Sequence, residues 1–311
     1  MESREIDVAV VGAGAAGITA ALYAKRKALS VRIFEAEALG GQAAEAIWVE
    51  NYPGISKLEG AKLMQRMAEH LKEFGVEVEE AAEATGIKKL GKGKGFELDI
   101  NNGEERVQAK TVILCTGSKY KTLGIPGEKE FYGKGLSYCA TCDGPAFKGR
   151  IVAVVGAGNS GVNAALFFSE ICSKTYLVEF MPKPCYDAVY SEAVKKSGIE
   201  LMLNTEATEI AGNGSVEGIK LKGRKDGKEK ALAVDGVFIY VGTQPRNALA
   251  KKLGLKTSKK GYIVTDGSKA TSMEGVFAAG DITGELAQIV TATGSGAVAA
   301  TSAFEYLKKQ K

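Results

Sequence analysis

The chain has 311 residues, of which 45% are hydrophobic and 25% charged, a composition that excludes a disordered protein and suggests about two domains. Its net charge of +4 is too mild to indicate nucleic-acid binding. No uncharged apolar stretch reaches the roughly 18 residues that a membrane span needs, and the N-terminus lacks a signal-peptide core, so we expect a cytoplasmic protein.

The first predicted element is a nucleotide-binding start, DVAVVGAGAAG at Asp7–Gly17. An apolar run typical of a strand meets Gly-x-Gly-x-x-Gly, and helical spacing follows. Glycines in such a turn let the backbone approach a pyrophosphate, whose charge is stabilised by the helix N-terminus. The next strand, VRIFE, ends at Glu35, an acid placed to hold ribose hydroxyls.

Two cysteines stand close together in CATCDG at Cys139–Gly144, whereas Cys115, Cys172 and Cys185 are isolated. In a reducing compartment such a pair is more often metal-binding or redox-active than a structural staple. Zinc needs four ligands, but there is no second Cys-x-x-Cys, and the single histidine, His70, lies in a predicted amphipathic surface helix. The residues therefore favour a redox pair, and we expect no bound metal.

A second nucleotide-binding start follows the cysteines. The run from Ile151 reads IVAVVGAGNSG, and a later strand, TYLVE, ends in an acid. A glycine turn without a ligand is the alternative interpretation of this copy. The residues of the candidate second nucleotide site are Gly156, Gly158, Asn159, Ser160 and Glu179.

These elements predict an α/β fold with two Rossmann-like dinucleotide-binding domains, each a three-layer ββα unit. Near the C-terminus, GVFAAGD ends at Asp281 and precedes a predicted helix, which indicates a further contact of the first nucleotide site. The first domain is therefore expected to be discontinuous, at 1–117 and 248–311, with a second domain at 118–247 inserted. Polar stretches at Ser118–Thr122 and Thr243–Asn247 mark the boundaries.

Six motifs occur in one order along nearly the whole chain: GAGAAG, GGQ at Gly40–Gln42, ENYPG at Glu50–Gly54, CTG at Cys115–Gly117, CATCDG and FAAGD. In these motifs the chain resembles the low-molecular-weight thioredoxin reductases. The resemblance implies an FAD-binding first domain and a pyridine-nucleotide-type second domain that carries the cysteine pair. It also implies a homodimer whose partner is thioredoxin or a thioredoxin-like small redox protein.

The resemblance implies a role for each matching residue. Cys142 would stand next to the isoalloxazine, Cys139 would attack the disulfide of the partner, and Asp143 would move protons to and from the dithiol. The residues that would bind FAD are Gly12, Gly14, Ala15, Ala16, Gly17, Glu35, Ala36, Gly41, Gln42, Asn51, Thr116, Gly117, Gly280, Asp281, Gln288 and Ile289.

The second nucleotide motif departs from the family. In relatives that use NADPH, a histidine and two arginines after the second nucleotide strand clasp the 2′-phosphate. Here LVEFMPKP places Glu179, Phe180 and Met181 at those positions, and only Lys183 remains nearby. Since a carboxylate repels a phosphate dianion, we expect that NADPH is not the donor, as in the atypical branch of the family. Glu179 could instead hold the ribose diol of NADH, or a reduced deazaflavin, ferredoxin or another donor could supply the electrons.

Two other functions remain open at this point. One is a flavin reductase of the same fold that serves another small redox protein, and the other is a flavin- or zinc-binding regulatory protein that senses redox state. Flavin oxidases and ferredoxin-type reductases of this fold lack the cysteine pair, so CATCDG argues against them.

Overall fold

A computed structural model describes residues 5–46, 49, 51–91 and 93–310 of the chain. Its strands follow the β-branched and apolar runs of the sequence, as the propensities of these residues lead one to expect. In chain order the strands are β1 (Ile6–Val11), β2 (Val31–Phe34), β3 (Val78–Glu79), β4 (Ala84–Lys89), β5 (Phe96–Ile100), β6 (Glu105–Leu114), β7 (Ser118–Tyr120), β8 (Leu136–Ser137), β9 (Ile151–Val155), β10 (Lys174–Val178), β11 (Glu200–Met202), β12 (Thr205–Gly212), β13 (Val216–Gly223), β14 (Glu229–Ala233), β15 (Gly236–Ile239), β16 (Thr243–Pro245) and β17 (Val276–Ala278).

The helices fill the segments between these strands. The α-helices are α1 (Ala15–Arg26), α2 (Gly60–Glu73), α3 (Ala140–Asp143), α4 (Asn159–Ile171), α5 (Ser191–Lys196), α6 (Ala248–Lys252) and α7 (Ile289–Lys309). Short 3-10 turns lie at Gly41–Ala43, Asn101–Gly103, Gly144–Phe147, Ala188–Tyr190 and Asp281–Thr283. None of the helices in the described ranges is long and apolar enough to cross a membrane.

The chain divides into two units, Met1–Lys119 with Gln244–Lys311 and Tyr120–Thr243. The divisions lie close to the boundaries predicted at 117/118 and 247/248. Residues of both predicted boundary stretches form short strands, β7 and β16, which pair with each other. Polar composition alone does not reveal such a pairing, since the partner strand lies more than a hundred residues away.

The first unit has a sheet in the order β3-β2-β1-β6-β5-β4, with β17 also paired to β6. Strand β6 belongs to two parts of this sheet. Near its start Ala109 pairs antiparallel with Phe96 of β5, and further on Val112 lies between Ala9 of β1 and Val276 of β17 in parallel register. One strand thus joins a parallel sheet to an antiparallel β-meander.

Alternate residues of β1 face two different cores. Ala9 and Val11 face the core that includes the meander, whereas Val8 and Val10 face the core that includes helices α1 and α7. These helices approach closely because α7 has a glycine at the crossing: a Cβ at Gly296 would lie 2.2 Å from the carbonyl oxygen of Ala16. The unit therefore has three layers, a meander, a parallel sheet and helices.

The second unit repeats this arrangement. Its parallel sheet has the order β11-β10-β9-β15-β8, and β12-β13-β14 form an antiparallel meander. Val154 of β9 belongs to the same core as Phe168 of α4, and Val155 belongs to the core that includes Ile219 of the meander. The predicted α/β class with two Rossmann-like ββα units is confirmed.

Candidate active site

The first glycine turn connects β1 to α1. A Cβ at Gly12 would lie 2.3 Å from the carbonyl oxygen of Cys115, and one at Gly17 would lie 1.8 Å from the carbonyl oxygen of Gly12. These two glycines therefore allow the backbone to pack more closely than a side chain would permit. Gly12 also has a positive φ of 101°. Gly14 differs, because the nearest atom to its Cβ position is 3.8 Å away. The middle glycine thus leaves open space at the start of α1, where Ala15 and Ala16 are buried.

Glu35 is tied to this turn by both carboxylate oxygens. Oε2 accepts a 2.7 Å hydrogen bond from the backbone N–H of Ala13, and Oε1 accepts one of 3.0 Å from the N–H of Glu37. The strand β2 ends one residue earlier, so the sheet itself delivers the carboxylate to the glycine turn. The neighbouring Ala36 is exposed.

Ser118 connects two of the predicted FAD residues that are far apart in sequence. Its carbonyl oxygen accepts a hydrogen bond from Nε2 of Gln42, and its side chain forms a hydrogen bond with Asp281. Ser118 itself is buried. The sequence analysis placed this serine only in a boundary stretch and did not predict its contacts with Gln42 and Asp281.

Asp281 follows β17 and Gly280, close to the first glycine turn. A Cβ at Gly280 would lie 2.9 Å from the Cβ of Ala16, which sets the backbone of this segment against α1. Burial raises the pKa of Asp281 to about 6, and the hydrogen bond from Ser118 opposes this rise. A buried carboxyl group with a raised pKa therefore follows the glycine that packs against the start of α1.

Other predicted FAD residues form two further contacts. Nδ2 of Asn51 donates a 2.9 Å hydrogen bond to Oε1 of Gln288, at the residue before α7, which begins at Ile289. The hydroxyl of Thr116 donates to the carbonyl oxygen of Arg246 at 2.8 Å. Other predicted residues are Gly41, with a φ of 52°, and Gly117, with a φ of 67°. Glu50 of the ENYPG motif lies outside the described residues.

The second glycine turn has nearly the same geometry as the first. Cβ atoms at Gly156 and Gly161 would lie 2.4 and 1.8 Å from carbonyl oxygens, whereas no atom lies within 4 Å of the Cβ position of Gly158. Oε2 of Glu179 accepts a 2.7 Å hydrogen bond from the N–H of Ala157, and Oε1 accepts one of 2.9 Å from the N–H of Met181. The acid that ends the second nucleotide strand is therefore held as Glu35 is held.

The segment after Glu179 contacts a cation, Arg224, that the sequence analysis did not foresee. The guanidinium of Arg224 lies 5.3 Å from the centroid of the exposed Phe180 ring, and it donates to the carbonyl oxygen of Phe180 at 3.3 Å. The prediction that only Lys183 provides positive charge here was wrong. Arg224 comes from the end of β13, and no local pattern connects it to Phe180.

A carboxylate lies at the start of α4, beside the open side of the second glycine turn. Nδ2 of Asn159 donates to Oδ2 of Asp187 at 2.8 Å, and the N–H of Asp187 donates back to Oδ1 of Asn159 at 2.8 Å. The other predicted residue of this helix start, Ser160, is exposed. The first residue of α4 is thereby tied to the segment at Asp187.

The cysteine pair forms a disulfide within a single helical turn, Cys139–Asp143, which we call the redox turn. The N–H of Cys142 points to Sγ of Cys139 at 3.2 Å. The hydroxyl of Ser137 donates a 2.5 Å hydrogen bond to Oδ2 of Asp143, so that the carboxylate is held at the end of the turn. Two sulfurs and one carboxylate are thus together, as the motif predicts.

The remaining cysteines lie elsewhere. Cys115 is buried, and burial raises the pKa of its thiol to about 12. Cys172 is half-buried, with a pKa raised to about 11 by burial and by Asp235, and Cys185 is exposed. His70 is exposed on α2. Within the described ranges no group of three or more His, Cys, Asp and Glu side chains is arranged to hold a metal ion.

Comparison with known proteins gives a consistent relationship. The model of the family "Pyridine nucleotide-disulphide oxidoreductase" matches residues 6–296. A thioredoxin reductase of Bacillus subtilis (strain 168) is 39% identical over 99% of this chain and 96% of that protein. An NADH dehydrogenase of the same strain is 38% identical over 98% of this chain and 59% of that protein.

The solved structure of T. acidophilum thioredoxin reductase is 44% identical, covers 97% of this chain and 98% of its own, and has a TM-score of 0.69. The resemblance seen in the six motifs thus extends along the whole sequence and to the fold. The chain belongs to the pyridine nucleotide-disulphide oxidoreductase family and, within it, to the low-molecular-weight thioredoxin reductases.

Proposed function

We propose that the protein passes electrons through FAD to the Cys139–Cys142 disulfide and from there to thioredoxin or a thioredoxin-like protein. The observation that carries the proposal is the redox turn. It combines a disulfide, an amide directed at Sγ of Cys139, and the carboxylate of Asp143. Disulfide reduction needs two electrons and two protons, and these groups can accept both.

The residues around the first glycine turn fit FAD. The open side of Gly14 and the start of α1 would accept the pyrophosphate, and Glu35 retains lone pairs for the ribose hydroxyls. Asp281 would lie by the ribityl or pyrophosphate oxygens, with Gln42 and Gln288 along the flavin. FAD, when bound, supplies the two electrons for the disulfide.

We assign different roles to the two cysteines of the redox turn. The N–H of Cys142 stabilises a thiolate at Cys139, which favours Cys139 as the sulfur that attacks the disulfide of the partner. The attack forms a mixed disulfide and releases one partner sulfur as a thiolate. Cys142 then attacks Sγ of Cys139, which re-forms the internal disulfide and releases the second partner sulfur. Asp143 carries a proton to a departing thiolate.

The proposal includes an electron donor other than NADPH. Glu179 places a carboxylate at the end of the second nucleotide strand, where the 2′-phosphate of NADPH would come closest. Arg224 adds one positive charge, but its Nε lies 3.8 Å from a carboxylate oxygen of Glu206, which offsets it in part.

NADH, reduced deazaflavin and reduced ferredoxin remain as donors. The position of Glu179 supports NADH among the pyridine nucleotides, because a carboxylate at this place can accept from a free ribose diol. The similarity to a relative named NADH dehydrogenase supports testing NADH first.

The test is an anaerobic half-reaction followed by turnover. The purified flavoprotein is mixed separately with NADH, NADPH, reduced deazaflavin and reduced ferredoxin, and the loss of oxidised-flavin absorbance is followed. We expect no reaction with NADPH and reduction by at least one other donor. The reduced enzyme should then reduce thioredoxin, whereas a Cys139→Ser, Cys142→Ser double variant should not.

The two parts of the proposal fail separately. Turnover with NADPH would overturn the assignment of the donor and leave the reductase activity intact. A chemically reduced enzyme that leaves thioredoxin and thioredoxin-like proteins oxidised would overturn the reductase activity itself.

A further inference from the structure

Two side chains outside the CATCDG motif hold the backbone of the redox turn. Strands β8 and β15 are parallel neighbours, with Ser137 opposite Phe238. Oγ of Ser137 accepts a 3.0 Å hydrogen bond from the N–H of Cys139. Two residues after Phe238, Oη of Tyr240 accepts a 2.7 Å hydrogen bond from the N–H of Ala140. The parallel sheet therefore fixes the first two amides of the turn.

Ser137 also contacts the acid of the redox turn. A serine hydroxyl has a single hydrogen. Ser137 donates it to Oδ2 of Asp143 at 2.5 Å, much closer than the alternative acceptor, the carbonyl oxygen of Cys139 at 3.4 Å. A hydrogen bond donated to a carboxylate stabilises its charged form and lowers its affinity for a proton. Because Ser137 is buried, water does not readily replace this bond. The same hydroxyl therefore connects the start of the turn, at Cys139, with its carboxylate.

The surroundings of Asp143 come from three elements. Tyr240, which directly follows β15, faces Asp143. Burial raises the pKa of the phenol, the hydrogen bond from the N–H of Ala140 lowers it, and the charge of Asp143 raises it. The two cysteines lie on the same turn as the carboxylate. From α4, the rings of Phe167 and Phe168 come within 2.6 and 3.1 Å of a Cβ position at the neighbouring Gly144. Apolar rings thus enclose the end of the turn on that side.

We propose that Ser137 is a positioning residue for reduction of the disulfide, because it orients the carboxylate of Asp143 and sets its affinity for a proton. The inference rests on the proposed function, which gives Asp143 the proton transfer. In this step FAD, when bound, would supply two electrons to the disulfide, and the S–S bond would break to give two thiolates. The proton carried by Asp143 goes to one of them. Ser137 thereby determines the pH range in which Asp143 holds that proton.

The test uses the holoenzyme and needs no protein partner. The enzyme is reduced anaerobically by two electrons with dithionite, and the oxidised-flavin absorbance is recorded as a function of pH. Electrons that have passed to the cysteines leave the flavin oxidised, so this absorbance reports how the electrons are distributed. Ser137→Ala is expected to move the transition that depends on Asp143 to higher pH by about one unit.

Three variants separate a positioning role from a general structural one. Ser137→Thr keeps the hydroxyl and should restore the wild-type pH dependence. In an Asp143→Asn background Ser137→Ala should cause no shift, because the group through which the serine acts is gone. If Ser137→Ala loses its flavin, Ser137→Gly replaces it, since glycine also lacks the hydroxyl and fits the same space.

An unshifted transition in the single variant, or the same shift in both backgrounds, would overturn the inference. A wild-type enzyme whose electrons never reach the cysteines would refute the proposed function instead. The two failures are therefore distinguishable in one set of titrations.

Discussion

Glu179 accepts a 2.7 Å hydrogen bond from the backbone N–H of Ala157, and Glu35 accepts one of equal length from the N–H of Ala13. Both nucleotide motifs therefore share the position of the acid as well as the glycines. The difference between the two sites begins one residue later, at the exposed Phe180. We therefore expect the carboxylate of Glu179 to favour a ribose diol over a 2′-phosphate.

The charge of Glu179 can be tested directly with fragments of the nucleotides. Glu179→Gln should shift the affinity ratio of 2′-phospho-ADP-ribose to ADP-ribose by about tenfold toward the phosphorylated fragment, because one negative charge is removed near the phosphate. Titration calorimetry measures both affinities. Glu35→Gln is the matched control, which should weaken retention of FAD and leave this ratio unchanged. An unaltered ratio in Glu179→Gln would show that its charge does not discriminate the two fragments.

The open side of Gly14 predicts a variant that folds but binds FAD poorly. Gly14 has a φ of −74°, so alanine adopts its backbone conformation, and a Cβ meets no atom closer than 3.8 Å. Gly14→Ala should change the free energy of unfolding of the FAD-free protein by about 0.5 kcal/mol or less. We expect its dissociation constant for FAD, measured by flavin fluorescence, to rise at least about tenfold, since the methyl group occupies the space for the pyrophosphate.

Gly158→Ala is the control for this experiment. It makes the same change at the second glycine turn, where φ is −83°, and it should leave FAD affinity unchanged. Unimpaired FAD binding in Gly14→Ala would contradict the placement of the pyrophosphate.

The roles of the two cysteines predict which variant traps the partner. Cys142→Ser lacks the sulfur that resolves the mixed disulfide, so reaction of its Cys139 thiolate with oxidised thioredoxin should leave a covalent complex. Cys139→Ser should form little of it. Non-reducing electrophoresis and mass spectrometry detect the complex. Preferential trapping by Cys139→Ser would reverse the order of attack.

Asp281 predicts a pH dependence of stability. Burial raises its pKa from 3.8 to about 6 in the folded protein, so the folded state binds this proton more tightly than the unfolded chain. The free energy of unfolding should therefore fall as the pH rises from about 4 to about 6, by at most about 3 kcal/mol.

Asp281→Asn should lack this contribution, so its stability relative to wild type should improve across the same pH range. Urea unfolding of the two FAD-free proteins at several pH values gives the difference. Parallel pH profiles would show that Asp281 has an ordinary pKa in the folded state.

The sequence was sufficient for features that depend on local backbone requirements. The glycine turns and the redox turn were predicted because their geometry is encoded within a few adjacent residues. The acids after β2 and β10 were predicted because each ends the strand that follows a glycine turn and its helix. The contacts between residues far apart in the sequence were not predicted. Gln42 reaches Ser118 across 76 residues, and Tyr240 reaches Ala140 across 100. Arg224 and Phe180 are 44 residues apart. No periodicity in the sequence pairs such positions, since only the folded sheets bring them together.

In each of the two units a backbone hydrogen bond joins the two chain segments that lie next to the unit boundary. In the first unit the N–H of Arg246 donates to the carbonyl oxygen of Gly117 at 3.0 Å, and in the second the N–H of Lys121 donates to that of Gly242 at 2.9 Å. The two ends of the segment Tyr120–Thr243 therefore lie close together in space. The length of the segment then adds little to the entropic cost of closing this loop when the first unit folds. We therefore expect that this segment can be remodelled or replaced as a unit while the fold of the first unit is kept.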